Sequence, residues 1–417
     1  MGADLQPMAV APRSAGDHAP AAGAEAIERL RAAAGPLRGA RVLHVSAAGG
    51  GGRVPDMLGA LLALAAGLGL EVEWRVLFGD SELQAGTRAL HDGLQGAESA
   101  LDDAGFDAYL EACAGAAQAL DGGYDAVVLH DPATLGLAAA LDGVLLWRCH
   151  VDASEPDGPA LERAGGLAAR AAVTVFSDES FAHDGLRGGG LHVAQPGIDP
   201  LSSRNLELQP RLSGRLLRPL GLDLGRPLCC QLMRMDRWKD PHSTIEAFAL
   251  AKQEVPELQL VLAGALDSSE TDEWRAAKEV SDYAKGHEDV YLLTGYQRLG
   301  DLELGALQRL SRVALQRSLR EGFGLAASEA LWKGTPVVGG ADGGLPLQVR
   351  DGVDGYLAEG PEQTAARLVE LVEDPGLAVE MGRAGRERVR ERFLVTHTLE
   401  QELRALASAV GAGSVKS

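Results

Sequence analysis

The chain alternates short apolar runs with stretches of helical periodicity almost from end to end, and this alternation restricts the folds open to it. Ten apolar runs of strand length end at Ser46, Phe78, His130, His150, Ser177, Met233, Ala263, Thr294, Gln316 and Val338. Strands that alternate with helices build parallel sheets from strand-helix-strand units. The sequence therefore predicts an α/β protein with two doubly wound, Rossmann-like domains that face each other across a cleft.

Composition along the chain predicts four segments. Residues 1–38 begin with an Ala/Pro/Gly-rich head and are predicted to be a flexible amino-terminal extension. Residues 39–210 form the first domain and residues 225–395 the second, and the poorly periodic stretch 200–227 connects them. Residues 396–417 are predicted to be a helix and a short tail, with a return of this helix to the first domain as an open alternative.

The charge balance excludes two classes of partner. The chain has 39 Lys and Arg against 59 Asp and Glu, a formal net charge of -20 over 417 residues. Broad contact with nucleic-acid phosphates or anionic lipid needs clustered positive charge. We therefore expect small-molecule substrates, no nucleic acid and no membrane, and a homodimer stays open.

The apolar and cysteine content favours a cytoplasmic protein. The longest uncharged apolar run, residues 57–70, is shorter than the roughly 20 residues that span a bilayer. The first twenty residues lack the basic start and apolar core of an export signal. Four cysteines in a chain of this length do not form a disulfide framework.

Two cations follow the first strand of the second half. Arg234 and Lys239 lie between that strand and a helix that begins near Pro241. Cations at the carboxyl end of a strand suit a diphosphate, because each charge-assisted hydrogen bond contributes roughly 1.5–3 kcal/mol. The alternative is that both cations pair with Asp236 and Asp240 on a solvated surface.

A glycine-rich loop carries one carboxylate and the helix after it carries another. Glu321 precedes Gly322 and Gly324, and Glu329 lies about two turns into the following helix. Glu321 is placed to accept hydrogen bonds from sugar hydroxyls, the loop N–H groups face a phosphate, and Glu329 reaches a ribose diol. The alternative is a simple turn followed by an exposed helix charge. A second glycine-rich loop, residues 339–344, is predicted to gather at the same sheet edge.

The first half also places polar residues where strands end. His130 and Asp131 follow one strand, and Arg148, His150 and Asp152 follow the next. Together they offer hydrogen-bond donors and acceptors to a polyol acceptor, although a buried histidine is often only structural.

The glycine run 49–52 contains Gly51 and Gly52, which are predicted to present backbone N–H groups to the donor's anion. The run does not match the dinucleotide fingerprint, because the third glycine would fall on Val54 or Pro55. No spacing of the chain matches a zinc pattern. We therefore expect no nicotinamide or flavin cofactor and no metal site.

Six stretches between about residues 40 and 360 resemble the retaining GT-B glycosyltransferases with a two-glutamate signature, whose glutamates are separated by seven residues, as Glu321 and Glu329 are. Within that superfamily the chain resembles the trehalose glycosyltransferring synthases. The matching stretches are EVEWRVLFGD, LHDPATLGLA, LLWRCHVDAS, PGIDPLSSRN, MRMDRWKDP and REGFGLAASEALWKGTPVVGG. The two-glutamate signature is common to many sugar transferases, whereas WRCHVDAS and PGIDPLSSRN are more specific. The loop SAAGGGGRVPD departs from the family pattern, since it has no aromatic residue before the glycines and carries Arg53 after them.

The resemblance implies a GT-B fold and an enzyme that needs no metal or other cofactor. The implied reaction transfers glucose from a nucleoside-diphosphate glucose, ADP-glucose or similar, to C1 of free glucose and gives α,α-trehalose with retained configuration. Because base recognition in such sites often runs through backbone groups, the nucleobase stays open. Its contact is expected near Thr294, Gly295 and Tyr296.

The resemblance also implies a role for each site residue. Arg234 and Lys239 would hold the diphosphate, Glu329 the ribose, and Glu321 the donor sugar. The donor sugar would also meet the backbone N–H groups of the loop, which belong to Gly322, Phe323, Gly324 and Leu325. His150 would face the reacting sugar and would share catalysis with Glu321, Arg234 and Lys239. Asp131, Arg148, His150 and Asp152 would bind the acceptor.

Three other functions stay open. A related retaining transferase would use a sugar phosphate or an α-glucan as acceptor, and a trehalose phosphorylase-like enzyme would run with free phosphate. A non-catalytic sensor of nucleotide sugars would keep the two domains without turnover.

Overall fold

The computed structural model of the chain describes residues 3–49, 53–98, 101–234, 238–264, 271–294 and 299–414. The chain divides into two compact units, Met1–Gly197 with Leu394–Ser417, and Ile198–Phe393. Within the described ranges, no helix is both long and apolar enough to cross a membrane.

The first unit is built on a seven-stranded sheet. Its strands are β1 (Asp4–Met8), β2 (Arg41–Ser46), β3 (Glu71–Phe78), β4 (Ala126–His130), β5 (Leu145–Arg148), β6 (Val173–Phe176) and β7 (Leu191–Val193). Its first six helices are α1 (Ala19–Ala22), α2 (Ala24–Ala34), α3 (Arg53–Gly67), α4 (Ser81–Leu94), α5 (Asp103–Ala117) and α6 (Gly158–Ala168). Short 3-10 segments cover Ala15–His18, Gly35–Leu37, Pro132–Ala139, Glu179–Phe181 and Asp184–Leu186.

The strand order of this sheet is β1-β3-β2-β4-β5-β6-β7, and only β1 runs antiparallel to its neighbour. Every residue of β4, β5 and β6 is buried, as expected for strands covered on both faces. The chain leaves β2 for β3 on one side and reaches β4 on the other. The topological switch point of the first unit therefore lies between the carboxyl ends of β2 and β4.

The second unit is built on a six-stranded parallel sheet. Its strands are β8 (Leu228–Leu232), β9 (Gln259–Ala263), β10 (Val290–Leu293), β11 (Val313–Gln316), β12 (Val337–Gly339) and β13 (Gly355–Leu357). Its helices are α7 (Pro210–Leu217), α8 (Pro241–Glu254), α9 (Thr271–Ala284), α10 (Asp301–Leu310), α11 (Leu325–Trp332), α12 (Leu345–Gln348), α13 (Gly360–Glu373) and α14 (Pro375–Arg392), with a 3-10 segment at Arg218–Leu220. The order is β10-β9-β8-β11-β12-β13, so the switch point lies between β8 and β11.

Apolar side chains on one face of the second sheet form a core with helices α8 and α13. Phe248 of α8, Leu260 and Leu262 of β9, Leu315 of β11 and Leu368 of α13 are all buried in one cluster. This burial fixes the parallel strands beneath their connecting loops. The loops at the carboxyl edge are therefore held on a rigid base.

Two parallel-sheet, Rossmann-like units confirm the predicted fold class. The amino-terminal segment differs from the prediction of a flexible extension over residues 1–38. Residues 4–8 form β1 and pair with β3, and α2 buries Ile27 and Leu30. The alternating signal of β1 is weak because Leu5 is its one fully buried residue and Pro7 interrupts the strand pattern.

The predicted connection 200–227 is part of the second unit instead of a free linker. Arg204 donates from Nε to Asp301 Oδ1 at 2.9 Å, and the amide of Asn205 accepts from Lys333 Nζ at 2.8 Å. These polar contacts produce no apolar periodicity, so the sequence of this stretch does not indicate that it packs on the second unit.

The carboxy-terminal helix α15 (Val395–Ser414) belongs to the first unit. Thr398 donates to the carbonyl of Gln195, and the Gln401 side chain accepts from the backbone N–H of Gln195. The predicted bounds therefore shift. The first domain ends at Gly197 instead of residue 210 and resumes at Leu394, and the second runs from Ile198 to Phe393 instead of over residues 225–395.

Candidate active site

The site in the second unit is centred on an ion pair at the switch point between β8 and β11. Lys239 follows β8 and Glu321 follows β11, and the ammonium of Lys239 donates to Glu321 Oε2. The same oxygen accepts from Gln316 Nε2 at 3.1 Å and from Ser318 Oγ at 3.2 Å. Among the residues that the structure describes, none donates to the other oxygen, Oε1. Glu321 is thus anchored through one oxygen and presents the other.

A short backbone pairing sets the position of Lys239. Lys239 forms an isolated antiparallel bridge with Ser318, and the N–H of Leu319 donates to the carbonyl of Trp238 at 2.8 Å. Asp240 then caps α8 by accepting from the N–H of Ser243 at 3.1 Å. The carboxylate of Asp240 is therefore used for a helix cap, and Lys239 pairs with Glu321. Lys239 is therefore not a cation on a solvated surface, and Asp236, the other carboxylate of that alternative, lies outside the described residues.

The glycine-rich loop before α11 adopts a conformation that requires glycine. Gly324 has φ +83° and forms the N-cap of α11. The second glycine-rich loop packs directly on the first, because a Cβ at Gly343 would lie 2.3 Å from the carbonyl oxygen of Glu321. Gly344 donates its N–H to that carbonyl at 3.3 Å. The predicted convergence of the two loops is confirmed.

A buried glutamine fixes the start of α11. Gln348 donates from Nε2 to the carbonyl of Phe323, and its Oε1 accepts from the N–H of Ser328 at 3.0 Å. The N–H groups of Leu325 and Ala326 have no hydrogen-bond acceptor in the described part of the chain. A helix start with two unused N–H groups is a site for an anion such as phosphate. The Phe323 ring is buried against Phe393, so this residue contributes its backbone to the loop.

Glu329 is buried in α11, so the alternative of an exposed helix charge is wrong. Its carboxylate lies 3.6 Å from Arg204 Nη1, which comes from the stretch PGIDPLSSRN. Lys333, the C-cap residue of α11, donates to the carbonyl of Glu329 at 3.0 Å. Arg204 therefore neutralises and orients a carboxylate that would otherwise be costly to bury.

Three further groups of residues are predicted to bind the donor, and each lies next to or outside the described residues. Arg234 lies two residues after β8, at the same sheet edge as Lys239, and is exposed. Gly51 and Gly52 lie outside the described residues, as do Gly295 and Tyr296. Their predicted contacts with the donor stay predictions.

The first unit places three histidines at its own switch point. Nδ1 of His44 in β2 lies 3.1 Å from Nε2 of His130 at the end of β4, and Nδ1 of His130 lies 3.4 Å from Nε2 of His150. Burial lowers the pKa of His44 to about 3 and holds the pKa values of His130 and His150 well below the ordinary range. Arg148 lowers the pKa values of His130 and His150 further through its charge. The three rings are therefore neutral.

Asp131 and Asp152 flank this histidine cluster. Asp131 has φ +64°, a backbone strain that is unusual outside glycine, and burial raises the pKa of its carboxyl against the opposing effects of His91, the His150 N–H and Arg148. Asp152 is buried and accepts from the N–H of Ser154 at 3.0 Å. Both carboxylates lie at the predicted sheet edge.

Arg148 has a structural role, and its prediction as an acceptor-binding residue is wrong. Its side chain is 1% exposed and donates from Nε to Glu402 Oε1 of α15 at 3.1 Å. It also donates from Nη2 to the carbonyl of Ala194 at 2.6 Å. A guanidinium whose donors are bound inside the protein is not available to a sugar. The sequence does not reveal this because Glu402 is 254 residues away.

Sequence reasoning missed four residues that support the sites. Gln316 and Ser318 bind Glu321, Gln348 binds the loop before α11, and Arg204 pairs with Glu329. Gln316 gave the one usable signal, since it is a polar residue at the end of an apolar strand. In the described ranges, no group of three or more His, Cys, Asp or Glu side chains is arranged to hold a metal ion.

Two family models match the chain. Residues 44–183 match the amino-terminal domain of trehalose synthase, and residues 215–388 match the glycosyl transferases of group 1. A trehalose synthase from Rubrobacter xylanophilus is 37% identical over 92% of this chain and 94% of its own length. A trehalose synthase from Pyrococcus horikoshii is 32% identical over 93% and 95%.

The solved structures that are similar share the fold. A UDP-forming α,α-trehalose-phosphate synthase from Burkholderia xenovorans, in complex with glucose-6-phosphate, superposes with a TM-score of 0.71 over 88% of this chain and 99% of its own. At 15% identity this likeness shows the GT-B fold alone. Together with the family models and the relatives, it shows that the chain belongs to the trehalose synthase family and is a GT-B glycosyltransferase of trehalose biosynthesis.

Proposed function

We propose that the chain is a retaining glucosyltransferase that makes α,α-trehalose from a nucleoside-diphosphate glucose, ADP-glucose or similar, and free glucose. The observation that carries the proposal is the anchored carboxylate of Glu321. Three donors hold its Oε2, while Oε1 accepts nothing from the described residues. An acceptor atom fixed in this way at a helix start suits a sugar hydroxyl next to a phosphate.

Departure of the diphosphate is the difficult step, because negative charge grows on phosphate while the sugar becomes oxocarbenium-like. The N–H groups of Leu325 and Ala326, with Arg234 and Lys239, are the groups that would stabilise this charge. Such groups raise the rate when they stabilise the transition state more than the bound donor. The proposed reaction therefore uses no metal, and turnover should persist in the presence of EDTA.

The hydrogen bonds of Glu321 favour front-face transfer. A nucleophilic carboxylate of a retaining hydrolase attacks C1 directly. In this proposal Oε2 of Glu321 is engaged by Lys239, Gln316 and Ser318, and Oε1 binds a sugar hydroxyl, so neither oxygen attacks C1. In front-face transfer the bond from C1 to the phosphate oxygen breaks, the bond from C1 to the acceptor oxygen forms, and the departing phosphate takes the acceptor's proton. A covalent glucosyl-Glu321, trapped with donor and detected by mass spectrometry, would overturn this step.

The acceptor is proposed to be free glucose. Arg148, the cation nearest to the histidine cluster, is paired with Glu402, and the carboxylates of Asp131 and Asp152 lie at the same edge. Because Arg148 is engaged inside the protein, its guanidinium does not bind an acceptor phosphate at this edge. The likeness to a trehalose-phosphate synthase solved with glucose-6-phosphate supports the competing acceptor, a sugar phosphate.

One experiment separates these functions. The protein is incubated with ADP-, UDP- or GDP-glucose and with glucose, glucose 6-phosphate or an α-glucan, and the products are identified with their anomeric linkages. A nonreducing α,α-linked disaccharide from free glucose supports the proposal, and a faster reaction with glucose 6-phosphate contradicts it. In a separate incubation, glucose 1-phosphate replaces the nucleotide sugar, and a product that forms only there indicates a phosphorylase. Binding of the donor without any product indicates a sensor.

Two further predictions belong to this proposal, a cytoplasmic location and a homodimer. The four cysteines are all free and buried, which supports a cytoplasmic protein whose thiols stay reduced. A homodimer stays a prediction, and the mass of the particle in solution tests it.

A further inference from the structure

The histidines at the switch point of the first unit form a continuous chain. His44, His130 and His150 are joined by contacts of 3.1 Å and 3.4 Å between ring nitrogens. The rings stack nearly parallel, with centroids 5.4 Å and 5.7 Å apart and interplanar angles of 25° and 13°. All three side chains are buried.

Because the three histidine rings are neutral, the tautomer of one ring determines the tautomers of the other two. A neutral imidazole carries one proton, so one nitrogen donates and the other accepts. If His130 is protonated on Nδ1, it donates to His150 Nε2 and accepts at Nε2 from His44 Nδ1, and all three rings are Nδ1–H tautomers. If His130 is protonated on Nε2, every bond reverses, and all three rings are Nε2–H tautomers.

One end of the row of three histidines, His150 Nδ1, has no hydrogen-bond partner among the described residues. This nitrogen is buried. Buried polar atoms are nearly always satisfied, so an atom of this kind indicates a ligand or an ordered water. In the first tautomer state Nδ1 is a donor, and in the second it is an acceptor.

Nearby charges keep the chain neutral without joining it. Arg148 bonds to Glu402, Ala194, Cys149 and Val175, and its charge opposes protonation of His130 and His150. Both ring nitrogens of His130 contact other histidine rings. No carboxylate therefore takes either ring-to-ring bond.

We propose that His44 and His130 are positioning residues that set the tautomer of His150, so that its Nδ1 meets a sugar hydroxyl with one fixed hydrogen-bond polarity. The identity of the sugar rests on the proposed function, whereas the coupling of the three tautomers does not. Substitution of a distant ring is then expected to change the hydrogen-bonding behaviour of an atom that the ring does not touch.

The first test needs neither substrate nor variant activity. The ring nitrogens of the ten histidines are labelled with nitrogen-15, and His44, His130 and His150 are assigned by His44→Gln, His130→Phe and His150→Gln. Long-range nitrogen–proton spectra at neutral pH then report each tautomer. The same tautomer in all three rings supports the proposal, and opposite tautomers in any two of them overturn it.

The second test uses kinetics and a matched control. His130→Phe removes both ring-to-ring hydrogen bonds. His18→Phe replaces another fully buried histidine of the same unit, one that is not part of the three-histidine cluster. We expect His130→Phe to lower kcat about tenfold, the effect of one lost well-placed hydrogen bond. The affinity for nucleoside diphosphate should stay unchanged, and the His150 signal should move to a mixture of tautomers.

The outcomes separate this proposal from its alternatives. If His130→Phe and His18→Phe lower the melting temperature alike and leave kcat and the His150 tautomer unchanged, the chain is only structural and the proposal is overturned. If the parent makes no trehalose but its three tautomers agree, and His130 and His150 shift together in His44→Gln, the proposed function fails while the coupling stands.

Discussion

The two units place their functional side chains at the same topological position but treat charge in opposite ways. At the β8/β11 switch point, Lys239 and Glu321 form an ion pair whose side chains are 14% and 18% exposed. At the β2/β4 switch point, His44, His130 and His150 are neutral and buried. The charged site suits a ligand with a diphosphate, and the neutral site suits a ligand with hydroxyl groups only.

Burial explains why the two arrangements differ. An ion pair within reach of water exchanges partners at low cost, because solvent compensates each charge. Arg148, the nearby cation of the first unit, is instead locked to Glu402 inside the protein, where leaving either charge alone is costly. The comparison predicts that charge substitutions in the second unit change catalysis, whereas those in the first unit change stability.

The largest expected effect tests the charged site. Glu321→Gln removes the negative charge but keeps a side chain of the same shape beside Lys239 and Ser318. We expect kcat to fall about 10³-fold, the range seen when one preorganised electrostatic contact is lost, with little change in melting temperature. Steady-state kinetics and thermal unfolding measure the two quantities.

Glu370→Gln is the matched control for this prediction. Glu370 lies in the same unit and accepts from Tyr356 and Arg367, away from the β8/β11 switch point. It should retain the parental turnover. Near-parental activity of Glu321→Gln would show that Glu321 is not needed for catalysis. The expectation that charge substitutions in the second unit change catalysis would then be wrong.

The second prediction tests the structural cation. Arg148→Met leaves Glu402, whose side chain is 14% exposed and whose pKa is raised by burial, without its partner, and we expect the free energy of unfolding to drop by about 3 kcal/mol. Chemical denaturation, followed by a probe in the first unit, measures this change. The double variant Arg148→Met/Glu402→Leu should recover most of the loss, because it removes both charges together.

Nucleotide binding is the control for Arg148. Its substitution should leave the affinity for nucleoside diphosphate at the parental value, since the predicted diphosphate ligands lie in the second unit. A large loss of nucleotide affinity with no loss of stability would mean that Arg148 binds substrate after all.

The third prediction concerns acid. The pKa of His44 is lowered from 6.5 to about 3 in the folded chain, so the unfolded chain takes up the proton first as the pH falls. Stability from this group is complete above pH 6.5 and is lost progressively down to about pH 3, with a slope of about 1.4 kcal/mol per pH unit. His44→Gln should flatten the stability curve by that slope between about pH 6 and about pH 5.

The dependence of stability on pH is also measured for His18→Gln, which distinguishes His44 from a buried histidine outside the three-histidine cluster. Parallel curves for the parent and His44→Gln would show that His44 is already charged in the folded protein. The neutral character of the first unit's site would then be wrong.

The sequence predicts the sheets well because burial on both faces leaves continuous apolar runs. The runs that end at His130 and Gln316 correspond to β4 and β11, and the glycines of the 321–324 loop correctly mark its close packing. The same reasoning fails for β1, where a single buried residue, Leu5, carries the signal.

Pairs of residues that are far apart in the sequence limit how much of the site can be predicted from the sequence. Lys239 and Glu321 were grouped correctly because both follow strands that are neighbours in a doubly wound sheet. Arg148 also follows a strand, but its partner Glu402 lies on a helix at the other end of the chain. Strand ends therefore predict where polar side chains gather, and only the packed structure separates binding residues from buried pairs.

The smallest expected effect tests whether a partly buried cation in the second unit, Arg204, acts on catalysis or only on folding. Arg204 Nη1 lies 3.6 Å from the carboxylate of Glu329 while its Nε bonds to Asp301, so Arg204→Gln should leave Glu329 free to rotate away from a ribose. We expect a donor KM about fivefold higher at nearly constant kcat, equivalent to a loss of about 1 kcal/mol. Binding of nucleoside diphosphate and of inorganic pyrophosphate, measured by calorimetry, distinguishes the causes, because only the former has a ribose. Equal weakening of both ligands would mean that Arg204 supports the whole loop, and Asp301→Asn, which leaves the contact with Glu329 in place, supplies the control.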